Sequence, residues 1–303
     1  MKKILYIEPN NNQKKFLYYT NLGKSLSQNK DINLVISKSF KGYNLNDFNL
    51  IIIGYGGCAD GNFCVNGNTL NTTTPIIGFL FKLSVEFDKK INFLKKNKII
   101  IFGQHTRIPE FEQHFQIKVQ KVLYPFDDNI FFNRNLDKIY DIGMTGALHN
   151  HNLYSKNAYL ESELDIRERL IAKLESVNYK KYIKCGDSYE CRIVDHNEYS
   201  KIINQTRIWM GTIADYGDIT PRISEIFGCK TLLFFNEIPF PNEFLVDGQT
   251  CVFYKNDLSD LYQKLNYYLS NPSICEQITT NAYNMVHSKF SNKNISKLFL
   301  QYS

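Results

Sequence analysis

The most constraining feature of the sequence is an alternation of short apolar runs with segments of helical periodicity. In the first half, the apolar runs lie at residues 3–7, 32–37, 50–54, 75–81 and 98–103. Apolar side chains also recur at helical spacing in residues 13–28, and residues 86–96 have the pattern of a helix. Continuous apolar runs are typical of strands buried on both faces of a sheet. The first half is therefore predicted to be a mostly parallel sheet flanked by helices.

The same pattern restarts after the polar stretch 133–138. Strands are predicted at residues 140–146, 207–213, 231–236 and 251–254. Helices are predicted at about 161–176, 199–204, from 221, 259–269 and 274–287. A chain of 303 residues is too long for one ordinary core and suits two domains. We therefore predict two α/β domains, residues 1–135 and 136–303.

Charge and cysteine content exclude several classes of protein. The formal net charge is +6, with lysines spread along surface-like helices. Without a basic stripe interleaved with aromatics, nucleic acid is not an expected partner, whereas a peripheral membrane contact is compatible with the charge. The seven cysteines contain no C-x-x-C pair, so neither a disulfide framework nor a zinc site is indicated. The apolar run Ile4–Ile7 is too short for a signal peptide, and a cytoplasmic location is expected.

The segment 211–235 is the most informative for binding. Thr220 is predicted as the N-cap, and Pro221 as the first residue, of a short helix that Gly228 ends. Arg222 then lies in the first turn, where a cation is disfavoured unless an anionic ligand binds there. Glu225 lies on the same face and can accept two hydrogen bonds from vicinal ribose hydroxyls. The alternative is an ordinary ion pair between the two side chains on a solvated helix.

Arg167 is a second cation with an unusual position. It falls between Leu164 and Ile171 on the apolar stripe of its predicted helix, whereas Arg169 turns to the polar face. A half-buried guanidinium needs a partner, which is either a structural carboxylate or a donor phosphate.

Four segments of the second half carry a family resemblance: YDIGMTG, ELDIRERLIAKL, TPRISEIFGCKTLLFF and DGQTCVFYKNDLSDLYQKLNYYLSNP. Over about 150 residues they resemble the C-terminal domain of group-1 glycosyltransferases, especially the spore-maturation-protein-like branch, and more distantly exostosin-like transferases. The resemblance implies the GT-B fold, with two Rossmann-like domains facing across a cleft and the last helices, residues 274–301, able to return to the first domain.

The resemblance also implies donor-site residues. The family's R-x-x-E segment at the nucleotide-sugar site maps onto Arg222 and Glu225. Gly146, in a predicted glycine turn after the first strand of the domain, would lie near the donor diphosphate. His149 and His151 can reach phosphate from the same loop, although exposed loop histidines are common.

One departure from the family limits the mechanism. The E-x7-E signature of many retaining members requires Glu eight residues before Glu225, where this chain has Gly217. Asp218 is its neighbour and stays a candidate for donor binding. Retention of anomeric configuration is therefore not implied.

The first half resembles the family only in outline and is expected to bind the acceptor. Asp60, in the loop 54–63 after a strand, is a candidate general base, and the alternative is a glycine-rich turn with a solvated Asp. His105, at another strand end, is a rival base, and Asp88 is a weaker one.

The function implied is transfer of a sugar from a nucleotide diphosphate sugar to a hydroxyl of a glycan, glycoprotein or lipid-linked acceptor, in glycan or polysaccharide biosynthesis. Positive groups and helix N-termini would neutralise the leaving diphosphate, so neither a metal nor another cofactor is expected. The alternatives are a nucleotide-sugar epimerase of the same fold and a non-catalytic nucleotide- or sugar-binding module.

Overall fold

The computed structural model describes residues 1–8, 17–54, 69–80, 87–147, 166–186, 195–213, 217 and 219–303. These residues divide into two compact units. The first contains Met1–Asp127 and Lys289–Ser303, and the second contains the described residues from Asp128 to Ser288. The boundary between residues 135 and 136 therefore lies inside the second unit, and the sequence-based domain limits stay predictions.

The first unit is built on a six-stranded parallel sheet with the order β2-β1-β3-β4-β5-β6. Its strands are β1 Lys2–Ile7, β2 Ile32–Ser37, β3 Leu50–Ile53, β4 Ile76–Leu80, β5 Ile100–Gly103 and β6 Val119–Lys121. Its helices are α1 Leu17–Ser27, α2 Phe87–Lys96, α3 Ile108–Phe115 and α9 Asn292–Leu300, with a 3-10 turn at Leu45–Asp47. The strands β1 to β5 confirm the predicted apolar runs. Helix α3 and strand β6 were not predicted, because elements this short carry little periodicity.

The last helix completes the core of the first unit. The ring of Phe299 in α9 packs edge-on against Phe79 of β4 and Phe102 of β5, with centroid distances of 5.7 and 4.9 Å. Ser25 of α1 also accepts a hydrogen bond from the backbone N–H of Ser296 at 3.3 Å. The last helices, residues 274–301, were expected to be able to return to the first domain. Of these, α9 belongs to the first unit.

The second unit is built on a five-stranded parallel sheet with the order β11-β10-β9-β7-β8. Its strands are β7 Tyr140–Ala147, β8 Lys181–Gly186, β9 Thr206–Met210, β10 Leu232–Asn236 and β11 Val252–Tyr254. Its helices are α4 Ile166–Glu175, α5 His196–Asn204, α6 Arg222–Gly228, α7 Leu261–Ser270 and α8 Pro272–Lys289. The chain runs outward from β7 to β8 on one side and from β9 to β10 and β11 on the other. The carboxyl ends of β7 and β9 therefore form a topological switch point, where ligands of open α/β sheets bind.

Close packing between the two central strands requires glycine at position 143. A Cβ atom built on Gly143 would lie 2.6 Å from Cε3 of Trp209 and 2.9 Å from Cγ2 of Thr206. Trp209 is fully buried and pairs with Gly143 across the β7–β9 ladder. The indole thus covers the backbone of β7 and fixes the spacing of the strands that carry the switch point.

Candidate donor site

Two arginine side chains meet over Gly146 near the carboxyl end of β7. A Cβ atom built on Gly146 would lie 3.3 Å from each terminal nitrogen of Arg222 and 3.5 Å from a terminal nitrogen of Arg167. Gly146 has φ +147, a backbone angle that other residues rarely adopt. It lies inside β7, which continues to Ala147, so the prediction of a glycine turn after the strand was wrong in this respect. Absence of a side chain here leaves room for both guanidinium groups.

Thr212 anchors Arg167 on the β9 side of the switch point. The Nε and Nη2 atoms of Arg167 both donate to Oγ1 of Thr212, at 3.1 and 2.9 Å. Thr212 follows β9 and is buried. Arg167 belongs to α4, which connects β7 to β8. Its side chain therefore bridges the two connections that diverge at the switch point, and the Thr212 hydroxyl holds the guanidinium in place.

The backbone that carries Thr212 is itself held by two hydrogen bonds. Oδ1 of Asn236, at the end of β10, accepts from the backbone N–H of Ile213 at 2.8 Å. The hydroxyl of Tyr254, at the end of β11, donates to the carbonyl oxygen of Gly211 at 2.7 Å. These contacts fix the segment after β9, so the position of Arg167 depends on three neighbouring strand ends.

Arg222 is the first residue of α6 and is half-buried. Pro221 occupies the cap position with helical dihedral angles and makes no side-chain cap hydrogen bond, so the prediction of Thr220 as the cap was wrong. The helix ends at Gly228 as predicted. Within the described part of the chain, no carboxylate forms an ion pair with Arg222. The alternative of an ordinary Arg222–Glu225 ion pair is therefore not what the structure contains.

Glu225 lies one turn along α6 and is partly buried. Removal from water raises the pKa of its carboxyl group from 4.5 to about 7, although the positive charge of Arg222 acts in the opposite direction. A carboxyl group in this state gains strongly from hydrogen-bond donors that favour its ionised form.

Tyr199 of α5 is the site residue that the sequence analysis missed. Its hydroxyl interacts with the side chains of Arg222 and Thr145. The contacts fall short of normal hydrogen-bond geometry, so the buried oxygen has no full partner. Burial raises the pKa of Tyr199 well above its usual value, which keeps the hydroxyl protonated. The residue occupies an ordinary apolar position of an amphipathic helix, and no local pattern marks it as functional.

Tyr199→Phe should weaken binding of the nucleotide diphosphate sugar expected from the sequence by roughly 3- to 10-fold, the effect of one modest hydrogen bond, because the hydroxyl helps to orient Arg222. Calorimetry measures the affinity. Tyr179→Phe is a matched control, since that hydroxyl donates to Oδ1 of Asn266 at the surface. In an Arg222→Ala background the Tyr199→Phe change should have no further effect on affinity. An equal loss in both backgrounds would contradict the role of Tyr199.

His105 does not have the surroundings of a general base. Its ring is 1% exposed and packs edge-on against Phe111 at 4.7 Å between centroids. Nδ1 accepts a hydrogen bond from the backbone N–H of Arg107 at 3.0 Å. An acceptor hydroxyl cannot reach a ring enclosed in this way, so the structure corrects this prediction and favours a packing role. Asp88 is exposed in the first turn of α2.

Asp60, His149, His151 and Asp218 lie outside the described residues, and their roles stay predictions. Gly217 is described and has φ +83. A glutamate would be strained in this left-handed conformation. The departure from the E-x7-E signature therefore agrees with the backbone at position 217.

The described ranges contain no group of three or more His, Cys, Asp or Glu side chains placed to hold a metal ion. Over the same ranges, no helix combines the length and the apolar character needed to cross a bilayer.

Comparison with known proteins shows which family the second half of the chain resembles and which fold the whole chain has. Residues 161–301 match a family model described as glycosyl transferase-like. Among solved structures, Anabaena HepE in complex with UDP and glucose superposes with a TM-score of 0.61 and 10% identity, over 99% of each chain. Sucrose-phosphate synthase from Thermosynechococcus elongatus gives a TM-score of 0.62 and 10% identity, over 99% of this chain and 97% of its own. A glycosyltransferase from Rickettsia africae gives 0.56 and 14%, over 99% and 97%.

A search of curated protein sequences found no match. The structural likenesses show the GT-B fold, and the family model includes both arginines. The resemblance to the spore-maturation-protein-like branch stays a prediction. The chain has the GT-B fold of these solved glycosyltransferases, and its residues 161–301 are similar to the glycosyl transferase-like family.

Proposed function

We propose that the protein transfers a sugar from a nucleotide diphosphate sugar, bound at the carboxyl ends of β7 and β9, to a hydroxyl group of a glycan, glycoprotein or lipid-linked acceptor. The observation that carries this proposal is the convergence of Arg167 and Arg222 over Gly146. Two guanidinium groups repel each other, and an anion between them relieves the repulsion. The planar forks of arginine suit the oxygen pairs of a diphosphate.

The diphosphate of the donor is negatively charged and has two phosphate groups, one for each of the guanidinium groups of Arg167 and Arg222. A structural neighbour supports the choice of nucleotide, because HepE was crystallised with UDP and with UDP-glucose. In this chain Arg222 would contact one phosphate group and Arg167 the other. Glu225, one turn from Arg222, would accept hydrogen bonds from the ribose hydroxyls.

Stabilisation of the leaving diphosphate is then the main chemical contribution of the site. As the glycosidic bond breaks, negative charge grows on the leaving phosphate oxygen, and fixed positive groups stabilise it. Two arginines can supply this charge, which is why we propose catalysis without a metal ion or other cofactor. The stereochemical outcome depends on groups other than Gly217, which carries no side chain.

Acceptor binding is proposed for the first unit, with Asp60 as the remaining candidate base. A cytoplasmic location is proposed as well. It is supported by free thiols at Cys185, Cys229, Cys251 and Cys275, which suit a reducing compartment. A lipid-linked acceptor would bring the protein to a membrane surface.

Donor binding and turnover can be tested together. A thermal-shift panel of nucleotide sugars should show a ligand-dependent rise in melting temperature, because a ligand that binds only the folded state stabilises it. The stabilising donor is then incubated with hydroxyl acceptors, and product and free nucleotide are quantified. Consumption of donor without acceptor or hydrolysis would indicate an epimerase. Binding without turnover by any acceptor would indicate a non-catalytic module.

Affinity for UDP-glucose should rise as the pH is raised from about 6 to about 8, one unit either side of the Glu225 pKa. Below that pKa, which burial raises to about 7, the carboxyl is protonated and accepts fewer hydrogen bonds. The diphosphate of UDP-glucose is esterified at both ends and does not titrate in this range. Calorimetry on Glu225→Gln should show a nearly flat profile. If the affinity of the variant depended on pH as strongly as that of the wild type, the assignment of Glu225 to ribose binding would be wrong.

A further inference from the structure

Positive charge is concentrated on one part of the first unit, contrary to the even spread that the sequence analysis assumed. Residues 87–121 contain eight Lys and Arg against three Asp and Glu, a net charge of +5. The chain as a whole carries +6. The segment comprises α2, β5, α3 and β6 and the turns between them. Residues 87–121 therefore carry almost all of the net charge of the chain.

Three lysines of this segment surround one open groove. Lys95, Lys98 and Lys118 line a groove of about 470 Å³ together with apolar side chains that include Ile99 and Ile117. All three lysines are exposed. The groove lies between the end of α2 and the turn before β6, so its cations come from separate parts of the chain and the fold brings them together.

These cations are not neutralised locally. Within the described residues, no carboxylate forms an ion pair with Lys95, Lys98 or Lys118. Lys95 donates to the backbone carbonyl of Phe115 at 3.0 Å, a contact that leaves its charge in place. The nearby acids are used elsewhere: Glu110 pairs with Arg107, and Oε1 of Glu112 accepts from the backbone N–H of Val119 at 2.8 Å.

We propose that this basic groove, defined by Lys95, Lys98 and Lys118, docks the protein on an anionic lipid surface. The net charge of +5 over residues 87–121 extends beyond the three lysines of the groove, which suits an extended anionic surface better than one small anion. Clusters of lysine bind anionic leaflets through attraction that adds up over the cluster. The basic groove would be the surface that makes the membrane contact suggested for a lipid-linked acceptor. This proposal rests on the proposed function only for the reason why the protein would bind a membrane.

Vesicle sedimentation tests this docking without any sugar donor. The wild type should bind vesicles of phosphatidylcholine with phosphatidylglycerol, and not vesicles of phosphatidylcholine alone. The triple variant Lys95→Gln, Lys98→Gln, Lys118→Gln should lose affinity by roughly 10- to 100-fold, as expected for three lysines near an anionic surface. Added salt should weaken wild-type binding.

A matched variant controls for total charge. Lys184→Gln, Lys201→Gln, Lys255→Gln removes the same charge from exposed positions of the second unit and should bind the anionic vesicles like the wild type. Thermal melts of both triple variants, followed by circular dichroism, should match the wild type. Affinity for UDP-glucose should also be unchanged, which separates this test from a failure of the donor site.

Several results would overturn the proposal. Equal vesicle binding by the groove variant and the control variant would show that net charge, rather than the groove, attracts lipid. Binding to neutral vesicles would exclude an electrostatic contact. Binding of the wild type to soluble inorganic polyphosphate, with no binding to anionic vesicles, would assign the groove to a soluble polyanion instead.

Discussion

Arg222→Ala should weaken the binding of UDP-glucose by roughly 10- to 150-fold, which corresponds to the ~1.5–3 kcal/mol of hydrogen bonds to a charged group. The reason is positional. The guanidinium lies beside Gly146 at the switch point, and no ion pair with a described carboxylate competes for it. In the variant, a diphosphate bound there would lose the pair of charge-assisted hydrogen bonds that the guanidinium donates. Calorimetry gives the affinity, and circular dichroism confirms that the variant is folded.

Two further variants make this test specific. Arg169→Ala removes an exposed arginine of α4 and should leave the affinity unchanged. Arg167→Ala should weaken binding as well, and the double variant should show coupling between the two arginines because both contact the same ligand. An Arg222→Ala variant with wild-type affinity would place the donor elsewhere.

Gly143→Val should destabilise the second unit by about 3 kcal/mol, the upper end of the cost of overpacking a core. The new side chain would collide with the indole of Trp209, because even a Cβ atom comes within 2.6 Å of it. Both residues lie in central strands, where neither backbone can move without breaking the sheet. Trp209 is the only tryptophan of the chain, so its fluorescence during urea unfolding reports on this unit.

A second substitution checks the cause of that loss. Trp209→Leu creates space over Gly143, so Gly143→Val should cost much less free energy of unfolding in that background. Circular dichroism replaces fluorescence for the variants without tryptophan. A cost that is the same in both backgrounds would exclude the collision with the indole.

Much of the fold could be predicted from local patterns. Apolar runs such as residues 50–54 and 231–236 indicated strands, because a strand buried on both faces has no polar positions. Short elements escaped detection: β6 has three residues, which is less than any periodicity needs. Helix α9 could be recognised as a helix, but its packing with Phe79 and Phe102 depends on contacts between residues that lie far apart in the sequence.

The candidate site was predictable only in part. Arg222 and Glu225 share a helix, so their relation follows from spacing along the sequence. Tyr199 lies far from both in the chain, and its hydroxyl reaches Arg222 only because α5 and α6 belong to the same folded unit. His105 shows the opposite error. A polar residue at a strand end suggested chemistry, whereas its ring is enclosed against Phe111.

The sequence by itself determined two parallel sheets with helices, a short helix with Arg222 and Glu225, and a glycine at position 146. These are local properties that depend on hydrophobic periodicity and backbone freedom. Only the tertiary structure decided that Arg167 and Arg222 meet over Gly146. That meeting requires β9 to pair with β7 rather than with β8, the strand that precedes it in the chain, and strand order is set by the packing of the whole sheet.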